Sequence, residues 1–271
     1  MKIHKAYAKV NIFLKITGVR ENYHEILSRF MRVENLYDEL SFVKKSDAKF
    51  KDFEILGDFS CTTEQNTIYK AYRALKEFTN SKELELLMQS YAIKVKKSIP
   101  AFAGLGGGSS DAATYLHMCN ETLNLGLSVK ILAKIGLEVG ADVPFFVYGY
   151  KSANVSGIGE IVEEFDEELL AIETYTPKIE ISTPKVYQIY RKDFFAPIDA
   201  LEEERLRKSF SLDILENMTP KEANDLFQPA LQEYKNLEIH QKDGYFFSGS
   251  GSSFFRVKDR SNFKNKRVNN G

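Results

Sequence analysis

The chain of 271 residues is long enough for one large domain or two of ordinary size, and its 43% apolar and 28% charged residues suit a soluble globular protein. Its 37 basic and 38 acidic side chains leave a net charge of −1, which lacks the basic excess of a nucleic-acid binder and suggests no polyanionic partner. No stretch approaches the ~20 apolar residues that cross a bilayer, and MKIHKAYAKVNIFLKI at the N-terminus holds no signal-peptide core.

Cys61 and Cys119 stand far apart without a CxxC, which argues against a zinc site or a disulfide scaffold. Two buried thiols in a cytoplasmic protein are expected. In chain order, AKVNIFLKI (8–16) puts Val10, Ile12, Leu14 and Ile16 on one face, the period of a strand. ELSFVKK (39–45) reads as a second, weaker strand. Asn66 is a good N-cap for a helix carrying Ile68, Ala71, Tyr72, Leu75 and Phe78 at helical spacing. YAIKVKKSI (91–99) alternates again, with Tyr91, Ile93, Val95 and Ile99 on one side, and leads into Pro100.

After the glycines, Ala112, Leu116, Cys119 and Leu123 form one stripe of a helix expected to end near Gly126. Ser128 caps another, with Leu132, Ile135 and Val139, closed by Gly140. Composition shifts after FFVYGYKSANVSGIGEI (145–161). The acidic runs EEFDEE (163–168) and EEER (202–205) read as solvated faces, and GYFFSGSGSSFFRV (244–257) as strand, glycine turn, strand. The basic tail Arg256–Arg267 reads as a solvated terminus. The pattern is α+β, in two domains, 1–152 and 153–271.

The stretch AFAGLGGGSSDAATYLHM (101–118) carries the strongest chemical signal. Glycines feeding a helix N-terminus leave N–H groups uncovered at the positive end of the helix dipole, where a phosphate binds. Ser109 and Ser110 add hydroxyls there. A Walker A loop would need Lys before Ser109, where Gly108 stands, and a dinucleotide fingerprint would need a third glycine at Ser109. The loop is a phosphate cradle of neither kind.

PAFAGLGGGSSDAA (100–113) resembles the second motif of the GHMP kinases, the superfamily of galacto-, homoserine, mevalonate and phosphomevalonate kinases. AYAKVNIFLKI (6–16) is similar to the first motif and FFSGSGSSFF (246–255) to the third, in the family's order across nearly the whole chain. Within the superfamily, AKVNIFLKITGVRENYHEI (8–26), GLGGGSSDAA (104–113) and GLEVGADVPFF (136–146) resemble the subfamily that phosphorylates the 2-hydroxyl of 4-diphosphocytidyl-2-C-methyl-D-erythritol in the non-mevalonate route to isoprenoid precursors.

The resemblance implies a fold with an N-terminal domain like the second domain of ribosomal protein S5 and a ferredoxin-like C-terminal domain, with ATP and substrate meeting between them. It implies Asp142 as the base and Lys9 as its cationic partner. Asn66, Pro100, Gly104, Leu105, Gly106, Gly107, Gly108, Ser109 and Ser110 would bind ATP. Asn11 would hold the polyol; Tyr23, His24 and Tyr187 the cytosine; Gly249, Ser250 and Gly251 the substrate or the transferred phosphate. Mg²⁺ would arrive with ATP, since no carboxylate cluster forms a metal cage; Ser110 is a candidate ligand.

Where the subfamily commonly reads Asp-Gly before Tyr-His, this chain has Glu21-Asn22, with Asn22 expected to take the left-handed turn. Two other readings stay open: a homoserine- or mevalonate-type GHMP kinase, and a non-catalytic nucleotide sensor. The oligomeric state is left open.

Overall fold

The computed structural model describes residues 2–21, 23–45 and 53–258. β1 (His4–Arg20) and β2 (Tyr23–Lys44) pair as an antiparallel hairpin far longer than the two strands expected. The early half of β2 escapes a hydropathy reading because its buried run Leu27–Met31 includes Ser28 and Arg29.

In β1, Asn11 lies opposite Phe30 and Phe13 opposite Arg29, so Ile12 is the extra residue of a bulge. The bulge splits the expected face. Val10 and Ile12 join a core with Leu27 and Met31, whereas Leu14 and Ile16 pack with Val186, Leu226 and Phe247.

β3 (Ile55–Leu56) lies parallel to β4 (Tyr91–Lys96), and α1 (Thr67–Thr79) and α2 (Lys82–Ser90) cross between them. Asn66 caps α1 as expected, its Oδ1 accepting from Ile68 N at 2.9 Å, a bond that stabilises a helix start by about 1 kcal/mol. Ile68, Ala71, Tyr72 and Leu75 are buried, but Phe78 in the last turn is 51% exposed and does not continue the buried stripe.

α3 (Gly107–Thr122) begins at the glycines, α4 (Val129–Leu137) is capped by Ser128 Oγ, and the short α5 (Val143–Tyr148) follows. β5 (Ser152–Gly157) and β6 (Ile161–Glu164) complete a six-stranded sheet of order β3-β4-β2-β5-β6, with β1 also on β2. The expected boundary at residue 152 thus falls at the start of a strand of this sheet.

β7 (Ile172–Tyr175) belongs to a second sheet. It is followed by α6 (Thr183–Ile189), which runs into a π-helical turn at Tyr190–Phe194, and then by α7 (Ala200–Lys208), α8 (Ser211–Asn217), α9 (Pro220–Ala223) and α10 (Phe227–Glu233). A 3₁₀ turn, Lys235–His240, precedes β8 (Phe246–Phe247) and β9 (Phe254–Val257), the strands expected around the glycine turn. The antiparallel order is β7-β9-β8.

β1 ties the two parts together. Leu14 O accepts from Asp225 N at 2.9 Å and Ile16 O from Ile198 N at 3.1 Å. Ala8, Val10 and Phe13 share one core with Leu206, Leu215 and Phe255.

Some expectations change. Glu167, in the acidic run, has a buried side chain that accepts from Arg29 Nη1 at 3.3 Å, Ser152 Oγ at 2.6 Å and Ser211 N at 2.8 Å. The fully buried Arg29 requires a counter-charge, and this acid supplies it. Glu163 does reach outward, to Arg207. Cys61 is exposed because it lies in an irregular segment; Cys119 is buried in α3. Glu21 takes the positive φ, 55°, at the hairpin turn, while Asn22 lies outside the described residues. Of the basic tail, Arg256 pairs with Glu173 in the second sheet, and the stretch past 258 also lies outside them.

Candidate active site

Lys9 and Asn11 sit two residues apart on the same side of β1, and both are nearly inaccessible to solvent. Lys9 Nζ donates to Asn11 Oδ1 at 2.7 Å, lies 4.4 Å above the Phe30 ring on β2, and faces Asp142 Oδ2 at 3.4 Å. Asp142 precedes α5, yet its carboxylate makes no capping bond and is one-third exposed. A turn residue would spend that carboxylate on the helix; here it faces the lysine and a cleft of about 540 Å³.

One wall of the cleft is the glycine loop. Gly104 and Gly106 each have φ +72°; a Cβ on the first would lie 2.2 Å from Ser248 O, and on the second 2.7 Å from the Phe146 ring. Their bareness lets the loop wedge between β1 and the C-terminal turn. Lys9 N donates to Leu105 O at 3.0 Å, and Ser248 Oγ donates to Gly104 O at 3.1 Å while accepting from Asn11 N at 3.3 Å.

Gly106 is the N-cap of α3 and no side chain caps that end, which leaves the first amides of the helix free for an anion. Thr67 Oγ1 donates to Gly108 O at 2.6 Å, and so the start of α1, with Asn66, abuts the start of α3. Gly107 packs toward Ile99. Pro100 is exposed and Ser109 half-buried, whereas Ser110 turns into a separate cavity of about 470 Å³ beside His117 and Phe146.

At the other end of the cleft, His24 packs 5.1 Å from Tyr187 and edge-on to Tyr190 at 5.8 Å. Tyr23 stands at the rim, 62% exposed. His24 Nε2 is buried without a hydrogen-bond partner among the described residues. Burial, and then the charge of Arg191, lower the His24 pKa, so the ring is neutral at pH 7 and keeps an acceptor nitrogen. Burial, with Asp142 and Asp225, raises the Tyr187 pKa and keeps it a phenol.

Gly249 and Ser250 line the same cleft, and Ser250 Oγ lies 2.6 Å from Thr183 Oγ1. Gly251 does not: the space a Cβ would take there is filled by Phe247 and Ile181.

Residues 66–150 match the family model of the GHMP kinases N terminal domain. A 4-diphosphocytidyl-2-C-methyl-D-erythritol kinase of Sulfurimonas denitrificans is 67% identical over 97% of this chain and 99% of that protein. The chain belongs to the 4-diphosphocytidyl-2-C-methyl-D-erythritol kinase family. A member from Sulfurovum sp. (strain NBC37-1) is 48% identical over 94% of this chain and 98% of that one. A crystal structure of a 4-(cytidine 5'-diphospho)-2C-methyl-D-erythritol kinase superposes with a TM-score of 0.71 at 26% identity, covering 99% of this chain and 94% of that chain. The fold is that of the GHMP kinases.

The kinase site also contains residues that sequence reasoning missed. Asn224 Nδ2 donates to Phe247 O at 3.0 Å and Gly249 O at 2.9 Å, pinning the C-terminal glycine turn. Ser28 Oγ accepts from Asn11 Nδ2 at 2.9 Å. Neither carries a local pattern that would mark it. Thr183, Gln188 and Arg191 also line the cleft. A signal for the last two existed, because Pro184, Tyr187, Gln188 and Arg191 recur at helical spacing.

Beneath α3, Lys97 Nζ bridges Asp38 Oδ2 at 2.5 Å and Asp111 Oδ2 at 2.7 Å. Burial pushes the Asp111 carboxyl up to about 7 against the pull of Lys97. Among the described residues no group of three or more His, Cys, Asp or Glu gathers as a metal cage. No helix there is long and apolar enough to cross a membrane.

Proposed function

We propose that the cleft transfers the γ-phosphate of ATP to the 2-hydroxyl of 4-diphosphocytidyl-2-C-methyl-D-erythritol, a step of the non-mevalonate route to isoprenoid precursors. The observation that carries this reading is the Lys9–Asp142 pair, 3.4 Å apart, set between a glycine-loop wall and an aromatic end holding an unpartnered histidine nitrogen.

Asp142 takes the proton of the 2-hydroxyl as its oxygen bonds to the γ-phosphorus; the bond to the β–γ bridging oxygen breaks and ADP leaves. Lys9, steadied by Asn11 and the face of Phe30, neutralises charge on the transferring oxygens. The second Nδ2 hydrogen of Asn11, not used by Ser28, is available to the polyol.

The amides from Gly106 to Ser109 hold the phosphates at the uncapped start of α3, where Ser110 N already donates to Gly106 O, with Leu105 held in line by Lys9 N; Asn66 and Pro100 flank the nucleotide. Mg²⁺ bound to ATP would supply charge neutralisation on its β- and γ-phosphates. His24 reads the cytosine edge, with Tyr23 and Tyr187 against its faces, and Gly249 and Ser250 border the acceptor. The role of Gly251 is to admit the Phe247 ring beneath that turn.

Turnover on diphosphocytidyl-methylerythritol, homoserine and mevalonate tests the reading: activity on the first is expected, and activity confined to the other two overturns it. Asp142→Asn should bind both substrates nearly normally and lose about 10²–10⁴-fold in kcat. A loss of less than about threefold removes Asp142 from the role of base.

A further inference from the structure

The cleft-facing side of α6 extends past the helix proper. Pro184, Tyr187, Gln188 and Arg191 fall at i, i+3, i+4 and i+7, and all four line the cleft. The stripe reaches Arg191 because the chain continues into the π-helical turn Tyr190–Phe194, a local widening that often accompanies function. Arg191 is exposed and forms no hydrogen bond or ion pair among the described residues. Arg29, Arg205, Arg207 and Arg256 are each paired with a carboxylate.

Arg191 and Lys9 are the Lys and Arg side chains that line this cleft among the described residues. They have different surroundings. Lys9 lies buried at the reacting end and is already engaged by Asn11 and Asp142. Arg191 lies toward the aromatic end, near enough for its charge to lower the His24 pKa. A substrate that joins cytidine to a polyol through a diphosphate carries its negative charge between these two ends. Lys9 serves the phosphate being transferred, which leaves the diphosphate bridge in need of another counter-charge.

We propose that Arg191 is the substrate-binding residue that grips the diphosphate of the cytidine-linked substrate from the α6 side. The inference rests on the function proposed above. A guanidinium is well matched to a diphosphate, because its planar fork donates two parallel hydrogen bonds to phosphate oxygens, where an ammonium offers a point charge. Being free of protein partners, it breaks no ion pair in order to bind.

The test uses the full chain with CDP and cytidine as separate probes, titrated calorimetrically into the parent, Arg191→Gln and Arg191→Lys. Arg191→Gln should weaken CDP by about tenfold and leave cytidine within about twofold, the low end for a charge-assisted bond because the site is exposed. Arg191→Lys should recover part of the loss. Added salt should weaken CDP more in the parent than in Arg191→Gln. In turnover, KM for the cytidine-linked substrate should rise by a similar factor with kcat and KM for ATP little changed.

The proposal falls if CDP binds Arg191→Gln as tightly as the parent. It falls equally if cytidine loses as much as CDP, which would make Arg191 a wall of the nucleoside pocket. If the parent binds neither probe, the cytidine reading of the cleft fails, and this inference with it.

Discussion

Arg29 is fully buried, and its surroundings consist almost entirely of groups that answer its charge. Glu167 and the carbonyls of Leu206, Arg207 and Ser209 accept from its Nη atoms, Asn154 Oδ1 accepts from Nε at 2.8 Å, and the Phe165 ring lies 3.4 Å away. Desolvation still lowers its pKa to about 10, so it remains charged at neutral pH. Removing one member of such a pair strands the other: Arg29→Met should cost about 3 kcal/mol in denaturant unfolding, the low end because Glu167 keeps its bonds from Ser152 and Ser211. Arg29→Met with Glu167→Leu should lose less than the sum of the two single changes; additive losses would contradict the coupling. The sequence could not show this pair. An acid in EEFDEE looks solvated until a buried guanidinium more than a hundred positions earlier is brought beside it. Asp142 and Lys9 likewise look like a turn residue and a strand lysine, and the burial of Lys9, the uncapped carboxylate of Asp142 and their 3.4 Å separation depart from those readings.

At the scale of elements, the start of α3 was the most legible part of the chain, since glycine spacing and the stripe after it are local properties. The Asp38–Lys97–Asp111 cluster under that helix was not, because its members come from β2, the segment after β4, and α3 itself. Two buried carboxylates share one ammonium, and burial raises Asp111 from 3.8 to about 7. Its folded pKa exceeds its unfolded value, so the stability it contributes is fully present below about 4 and is lost as pH rises toward about 7. Asp111→Asn removes that dependence. The melting temperature of the variant should therefore gain on that of the parent between about pH 5 and pH 8. A constant gap across that range would show that Asp111 does not titrate there. The bulge at Ile12 belongs to the same scale: a period-two reading places Leu14 with Val10, whereas one extra residue turns Leu14 to the cleft side with Lys9 and Asn11.

In the whole molecule, β1 and β2 are shared by everything else. The core around Val10, Phe13 and Met31 includes Leu170, Leu206 and Phe255, and Leu14 bridges to Asn224. The chain should therefore unfold in urea as one transition, with far-UV dichroism and tyrosine fluorescence coincident; two separated transitions would show that the parts fold independently. The sequence by itself determined the α+β class, the helices begun by Asn66 and Ser128, the glycine loop feeding α3 and, through its three ordered motifs, the kinase family. Those features are written in neighbouring residues, through spacing, capping and backbone freedom. Only the tertiary structure decided that β1 and β2 run so long, that Glu167 is internal, and that Asn224 and Ser248 fix the C-terminal turn against the loop at Gly104. It also decided that the π-helical turn after α6 carries Arg191 to the cleft. Each of these depends on contacts between distant segments, where burial and charge compensation override what any local pattern expresses.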